Sequence, residues 1–269
     1  MPKKKTKTRY YNLLRVIISY FIICYSSFVL ATNNSSILIW PLDPVIEADQ
    51  NAISLWLENH NNNSLLVQIR VFSWKQTNND NQLLEQHEVI VSPPMVEIYP
   101  KKKQLIRLIK LINPPQDHEW SYRIIIDEIP QPLIEEPTKN NQRGLNFKMR
   151  YSIPLFINSK NIWTKIDYQH LSQLKPIIKP ILSYRIITKN EKKLLIIHNK
   201  GLVHAKITDI RFLNGKIPYI INNGFLEYIL PQSEIVLSFS TPFPLRLSQL
   251  SLMVKVNDNL EFQKVIPEN

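Results

Sequence analysis

Residues 145–152 read Leu145-Asn146-Phe147-Lys148-Met149-Arg150-Tyr151-Ser152, so apolar and polar side chains alternate over the whole stretch. Successive side chains of a β-strand point to opposite faces, and a period of two is typical of a strand with one buried face. The same alternation recurs at 67–71 and at 121–126, and Asn- and Pro-rich stretches, which favour turns, separate such runs. The pattern predicts an all-β protein.

The predicted strands fall into two sets of about seven. The first set covers roughly 37–48, 52–59, 65–75, 83–91, 104–112, 120–129 and 145–157, and the second roughly 181–188, 192–199, 202–213, 225–230, 234–240, 250–256 and 260–266. About seven short strands with regular turns are typical of an immunoglobulin-like sandwich. The polar segment 158–180 separates the sets, although 166–174 could form a short helical turn. We therefore expect two immunoglobulin-like β-sandwich domains in series, over 32–157 and 158–269.

The basic residues are concentrated at the N-terminus. Residues 1–31 hold six Lys and Arg, no acid, the single Cys (Cys24) and an apolar run, Val16–Leu30. This is the composition of a secretory signal peptide ending at the small residue Ala31. The alternative is an uncleaved anchor, because the run is near the lower limit of about 17 residues for a spanning helix. Without 1–31 the net charge falls from +11 to +5, with 27 basic and 22 acidic residues. Most of the basic excess thus indicates export rather than nucleic-acid binding.

The chain shows no recognisable catalytic or cofactor motif. Its four glycines stand far apart, which excludes Gly-rich phosphate loops. Its six histidines lack metal-ligand spacing, and although His198 and His204 flank a turn and could converge, two ligands are too few. The sequence predicts no enzyme, no metal or other cofactor, no small-molecule substrate and no nucleic-acid partner.

Seven motifs, in order along the chain, carry a resemblance to a known family. They are Leu55–Asn59, Val67–Trp74, Val91–Pro94, Gln104–Leu108, Tyr122–Pro130, Leu145–Phe156, and His198–Ala205 together with Leu230-Pro231. In this order they resemble the periplasmic pilus-assembly chaperones of the PapD-like superfamily, and Trp74, the Tyr-Ser-Ile-Pro run from Tyr151 and His204-Ala205 resemble its archaic, or spore-coat-type, branch. The resemblance implies two immunoglobulin-like domains in a boomerang-like arrangement.

The resemblance also implies a mechanism, donor-strand complementation. Pilus subunits of this class are incomplete sandwiches, and the chaperone lends them a strand. The row that fits this use is Leu145, Phe147, Met149 and Tyr151, preceded by the polar loop 137–144. The alternative is that these four side chains simply face the protein's own core, because any sandwich strand alternates in this way.

One part of the family pattern is missing. The first-described members hold the subunit's terminal carboxylate in the cleft between the domains, with an Arg on the first strand and a Lys near the end of the donor strand. Here Ile37–Ala48 contains no basic residue, and Ser152 stands at the position that matches the Lys. Arg107 and Arg150 are the candidate replacements, because a guanidinium group suits a carboxylate. An ordinary solvent-facing role is the alternative for both.

Together these features predict an exported, non-enzymatic periplasmic chaperone. Its partners would be pilus or fimbrial subunits and an outer-membrane usher to which it delivers them. The rival interpretation is a two-sandwich surface adhesin or fibre structural protein that keeps its own strands. A fibre subunit should carry a donor extension or lack a strand, and Thr32–Ser36 is too short for such an extension, which favours the chaperone.

Overall fold

The computed structural model describes residues 37–77, 80–130, 148–164, 176–190, 192–239 and 250–268. All regular structure in these ranges is β-strand. The described residues include no helix of the length and apolarity needed to cross a membrane. The predicted signal segment 1–31 and the possible helical turn at 166–174 lie outside the described residues.

In the ranges given above, the first domain contains ten strands in two sheets. They are β1 (Ile37–Trp40), β2 (Val45–Ile46), β3 (Ala52–Asn59), β4 (Leu65–Thr77), β5 (Asp80–Leu84), β6 (Val89–Ser92), β7 (Met95–Ile98), β8 (Lys103–Lys110), β9 (Glu119–Glu128) and β10 (Arg150–Asn158). One sheet has the order β1-β3-β8-β6, and the other has the order β2-β10-β9-β4-β5 with β7 paired to β4. The inward rows of both sheets, such as Leu55 and Leu57 of β3 and Ile124 and Ile126 of β9, are fully buried and form one core.

The described part of the second domain contains seven strands. They are β11 (Leu182–Lys189), β12 (Lys192–Asn199), β13 (Ala205–Asn214), β14 (Ile217–Ile229), β15 (Ser233–Phe239), β16 (Ser251–Val256) and β17 (Gln263–Pro267). They join in the order β14-β13-β16-β17-β11-β12-β15, and the parallel link between β17 and β11 is only two residue pairs long. Buried side chains from all seven strands share a second core.

The first domain differs from the sequence prediction in three places, one of which is the additional strand β7. The expected strand 37–48 is divided into β1, antiparallel to β3 in one sheet, and β2, parallel to β10 in the other. The expected strand 83–91 is interrupted between β5 and β6, where the Gln86 side chain forms hydrogen bonds with backbone groups of β4 and β6. Its amide donates to the carbonyls of Val71 and Val89, and its oxygen accepts from the Val89 N–H. All three differences depend on contacts between segments that are separated in the sequence, including the pairing of β7 with β4.

Candidate functional site

Strand β10 has an open edge along most of its length. On one side it pairs antiparallel with β9 from Arg150 to Asn158. On the other side, within the described residues, its only partner is β2, at Phe156 and Ile157. The six residues Arg150–Leu155 therefore form an unpaired edge, and unpaired backbone groups of this kind accept an added strand.

The alternation of an antiparallel ladder decides which backbone groups face this edge. The Met149 carbonyl accepts a hydrogen bond from the Glu128 N–H at 3.1 Å. The backbone N–H and C=O groups of the odd-numbered residues of β10 therefore point towards β9. The Phe156 N–H donates to the Pro44 carbonyl at 3.1 Å on the opposite side. Ser152 thus offers both an N–H and a carbonyl to the open edge, whereas Pro154 offers only a carbonyl.

The odd-numbered side chains of β10 form a row that leaves the core gradually. Leu155 and Ile157 are fully buried in the domain's own core, and Ile153 is 4% exposed. Tyr151 is half-buried against that core, and Met149 is 45% exposed. The predicted donor residues Leu145 and Phe147, and the loop 137–144, lie outside the described residues. Of the predicted donor residues, Tyr151 therefore packs in part against the protein's own core, whereas the Met149 side chain lies largely outside that core.

Tyr151 is the residue at which the row changes from buried to exposed. Its hydroxyl lies 3.5 Å from a carboxylate oxygen of Glu128. Burial, together with the negative charge of Glu128, raises the pKa of the Tyr151 hydroxyl above its ordinary value. The phenol therefore stays neutral and donates a hydrogen bond, which fixes the ring at the edge of the core.

The even-numbered side chains of β10 lie on the outer face of the same sheet, and this face runs into the second domain. Phe156 packs with Val45 and Trp74 of the first domain and with Tyr228 and Leu230 of the second in one buried cluster. The Phe156 ring also stacks on the His204 imidazole, with the centroids 3.4 Å apart and the planes 4° apart. The strand with the open edge is thereby anchored to the second domain at its C-terminal end.

Hydrogen bonds hold the two domains together around this cluster. The buried carboxylate of Glu119 on β9 accepts from the His204 backbone N–H at 2.8 Å and lies 2.9 Å from its Nδ1 atom. The Gln76 side chain donates to the Tyr228 carbonyl at 2.7 Å and accepts from the Leu230 N–H at 2.9 Å. The geometry brings His204, but not His198, to this joint.

Arg123 is a cleft residue that the sequence analysis did not single out. It lies opposite Pro154 in the β9–β10 ladder, on the outer face. Its guanidinium carbon is 3.7 Å from the centre of the Trp74 ring and 5.6 Å from that of Tyr228. Burial lowers the pKa of Arg123, while Tyr228 and Glu227 oppose that shift. The sequence feature that could have pointed to this residue is a charged Arg in the middle of a predicted strand, directly after Tyr122.

The two predicted anchor residues lie in different places. Arg150 begins β10, and its Nε donates to Asp127, which also accepts from Arg70 at 2.7 Å. Although burial of the carboxyl works in the opposite direction, hydrogen bonds from Arg150 and Arg70 hold the pKa of Asp127 below its ordinary value. Arg107 lies on β8, in the other sheet, opposite Ser54 and Ser92. Neither residue lies in the cluster at the domain joint.

The described residues contain no group of three or more His, Cys, Asp or Glu side chains that could hold a metal ion. The arrangement that stands out is a sheet edge beside a cleft between domains. Its chemistry is that of polypeptide recognition through backbone hydrogen bonds and apolar side chains.

Comparison with known proteins gives a family match over the first domain. Residues 43–162 match the family of the pili and flagellar-assembly chaperone, PapD N-terminal domain. The chain is also similar to the archaic chaperone in the CsuC–CsuE chaperone–tip adhesion subunit complex of Acinetobacter baumannii, with 27% identity and a TM-score of 0.68, covering 87% of this chain and 100% of that one. Over residues 43–162 the chain thus matches the PapD-like pilus-assembly chaperones.

Two further proteins are similar to the chain. The chaperone protein CssC of Escherichia coli is 26% identical over 183 residues, which are 67% of this chain and 70% of the relative. The structure of the E. coli chaperone DraB shares the fold, with a TM-score of 0.56 at 16% identity, covering 87% of this chain and 96% of that one. The PapD-like chaperones are periplasmic and have two immunoglobulin-like domains, as the sequence predicted.

Proposed function

We propose that this chaperone binds incomplete pilus subunits by donating the open edge of β10. The observation that carries the proposal is that Arg150–Leu155 have no strand partner on the side away from β9 within the described residues. A subunit that lacks one strand would complete its sheet here through the backbone groups of residues such as Ser152. The A. baumannii relative in complex with a tip adhesion subunit supports this choice of partner.

The side chains that would fill the subunit are Leu145, Phe147, Met149 and Tyr151. The row leaves the chaperone's own core between Ile153, at 4% exposure, and Met149, at 45% exposure. The residues N-terminal to Met149 would continue it into the partner. Full burial of a large apolar side chain contributes about 1.5–3 kcal/mol, so a few such residues would hold a subunit firmly.

The subunit's terminal carboxylate would be bound by a guanidinium group. Among the three candidates, Arg123 has the most suitable surroundings, because it is in the cleft, opposite Pro154 at the end of the open edge. Arg150 would have to break its ion pair with Asp127 before it could bind the subunit's carboxylate. Arg107 would require the carboxylate to reach the other sheet. We propose Arg123 as the anchor and keep Arg150 and Arg107 as the alternatives to be tested beside it.

The remaining parts of the proposal follow the sequence prediction. Residues 1–31 would direct export, 32–157 would form the donor-strand domain, and 158–269 would form the second domain. The chaperone would act without catalysis or cofactor and would deliver its subunits to an outer-membrane usher. Release would be driven by the better packing of the subunit in the fibre.

The decisive experiment is co-expression of each chaperone variant with candidate subunits. We expect wild-type protein to give a soluble one-to-one complex, and the double substitution Leu145→Asp with Phe147→Asp to abolish it without unfolding the chaperone. The matched control is Leu83→Asp with Leu84→Asp, which alters two exposed leucines on β5 at the other edge of the same sheet. Complex formation by the double Asp variant at 145 and 147 would refute the proposal.

The anchor is tested by measuring subunit affinity for Arg123→Ala, Arg150→Ala and Arg107→Ala. We expect a loss of about 30-fold for Arg123→Ala, because truncating one partner of a buried charge pair costs 2 kcal/mol or more. A loss confined to Arg150 or Arg107 would assign the carboxylate to that residue instead.

A further inference from the structure

The outer face of the first sheet, β1-β3-β8-β6, carries an exposed aromatic strip. Trp40 of β1 lies opposite Trp56 of β3, which lies opposite Leu105 of β8. Trp40 is 65% exposed and Trp56 is 38% exposed. The neighbouring Leu38 is 55% exposed. Large contiguous apolar patches on a soluble protein usually mark an interaction site.

This strip encloses a groove. Leu38, Trp40, Trp56, Glu58 and Lys103 line a cavity of about 370 Å³. The volume lies near the lower end of the range for ligand sites, about 300–1,000 Å³. The groove therefore has room for one or two large side chains rather than for a folded domain.

Basic side chains outnumber acidic ones on this face. By strand alternation, Glu58, Lys103 and Arg107 point outward on β3 and β8. Glu58 is already bound by Lys103 at 3.3 Å and lies 3.5 Å from His60. No carboxylate in the part of the chain that the structure describes pairs with Arg107, which lies between Ser54 and Ser92. The strip thus has an uncompensated guanidinium group at its border.

We propose that this face binds an extended acidic peptide segment of a protein partner. A large apolar side chain of the segment occupies the groove between Trp40 and Trp56, and a carboxylate pairs with Arg107. Tryptophan and arginine are the residue types that dominate binding energy at protein interfaces. A flat anionic bilayer fits the face less well, because the apolar surface is concave and stable membrane attachment needs several basic residues or an inserted chain.

The site goes beyond the donor-strand function. The strip belongs to the β1-β3-β8-β6 sheet, whereas the open edge of β10 belongs to the other sheet. A partner on this face would leave Ser152 and its neighbours accessible. The chaperone would therefore hold a subunit and the acidic segment at the same time.

The test uses three terminally blocked, fluorescein-labelled nine-residue peptides and measures anisotropy with the full chain. The first alternates leucine and aspartate, the second has lysine for aspartate, and the third has serine for leucine. We expect the first to bind at least tenfold more tightly than the others. We expect Trp40→Ala and Arg107→Gln, both at exposed positions, each to lower its affinity about tenfold. The control Leu83→Ala, on β5, should have no effect.

Equal binding of the three peptides, or binding that survives both Trp40→Ala and Arg107→Gln, would overturn the proposal. Trp40-dependent binding to phosphatidylglycerol vesicles would assign the face to a membrane instead. A dimer in sedimentation that Trp40→Ala dissociates would assign it to a second copy of the chain. Loss of subunit binding in Arg107→Gln would assign that residue to the subunit. The Leu145→Asp, Phe147→Asp variant should still bind the peptide, so the two functions fail separately.

Discussion

The two domains close their sandwiches in the same way but leave different edges exposed. In each, the last strand runs parallel to a strand from the beginning of its domain for two residue pairs, β10 with β2 and β17 with β11. All five residues of β17 pair with either β16 or β11. β10 has nine residues, and Arg150–Leu155 pair only with β9 among the described residues. The additional length of β10 gives this strand the open edge on which the proposed donation depends.

The two domains also share a local hydrogen-bonding arrangement around a buried asparagine. Asn59 at the end of β3 and Asn199 at the end of β12 are both fully buried. The Asn59 amide donates to the Asn63 and Ile98 carbonyls, and the Asn199 amide donates to the Val203 and Ile229 carbonyls. The two sandwiches are thus built alike locally, and they differ at β10, the strand that we propose is donated.

The largest expected effect is a difference in unfolding free energy between substitutions at the two ends of the odd-numbered side-chain row of β10. Leu155→Ala should lower the free energy of unfolding by about 4 kcal/mol, because it leaves a cavity in a fully buried site. Met149→Ala should change it by less than about 0.5 kcal/mol while weakening subunit binding. Urea denaturation and subunit titration check both variants. Equal destabilisation would mean that Met149 belongs to the chaperone's own core.

The next effect concerns the anchoring of β10 to the second domain. His204→Ala removes the ring that stacks on Phe156 and leaves Glu119 with one donor fewer. Loss of this largely buried ring and of its hydrogen bond to the Glu119 carboxylate should cost about 3 kcal/mol of unfolding free energy. His198→Ala is the control, since His198 contacts Glu268 at the surface of the second domain. If the two variants lose the same stability in thermal unfolding, the Glu119–His204 contact does not stabilise the joint.

A smaller effect tests the direction of the backbone groups. Ser152→Pro removes the N–H that faces the open edge, so the fold should persist while subunit affinity falls about tenfold, the value of one good hydrogen bond. Ile153→Pro removes an N–H that faces β9 and should destabilise the domain by about 3 kcal/mol or more. The reverse result would show that the ladder has the opposite register.

The smallest effect concerns the end of β17. Hydrogen bonds from Arg185, then Ser183, with Lys200 and His198 also contributing, hold the pKa of Glu268 well below its ordinary value of 4.5. A carboxyl group whose pKa is lowered on folding stabilises the fold above its unfolded pKa and loses that contribution as the pH falls towards its folded pKa. Glu268→Gln should cost about 1 kcal/mol at pH 7, as exposed ion pairs do. The difference from wild type should shrink below pH 4.5 in denaturation curves, and a difference independent of pH would contradict this account.

Part of the candidate site could be predicted from the sequence because strand alternation is local. The face on which Met149 and Tyr151 lie follows from their odd-numbered positions beside Ile153 and Leu155. The anchor could not be predicted in the same way. Arg107, Arg123 and Arg150 are all charged residues in apolar strands, and only the pairing of β9 and β10 and the docking of Tyr228 bring one of them, Arg123, into the cleft.

The amino-acid sequence by itself determined the all-β class and the approximate positions of many strands, because period-two alternation and turn residues act over a few neighbouring positions. Only the tertiary structure decided that the first predicted strand divides between two sheets. It also decided that β2 pairs with only two residues of β10 within the described chain, and that the Phe156 ring stacks on His204. These features join residues far apart in the chain. They depend on which strands reach one another, and no local pattern encodes that.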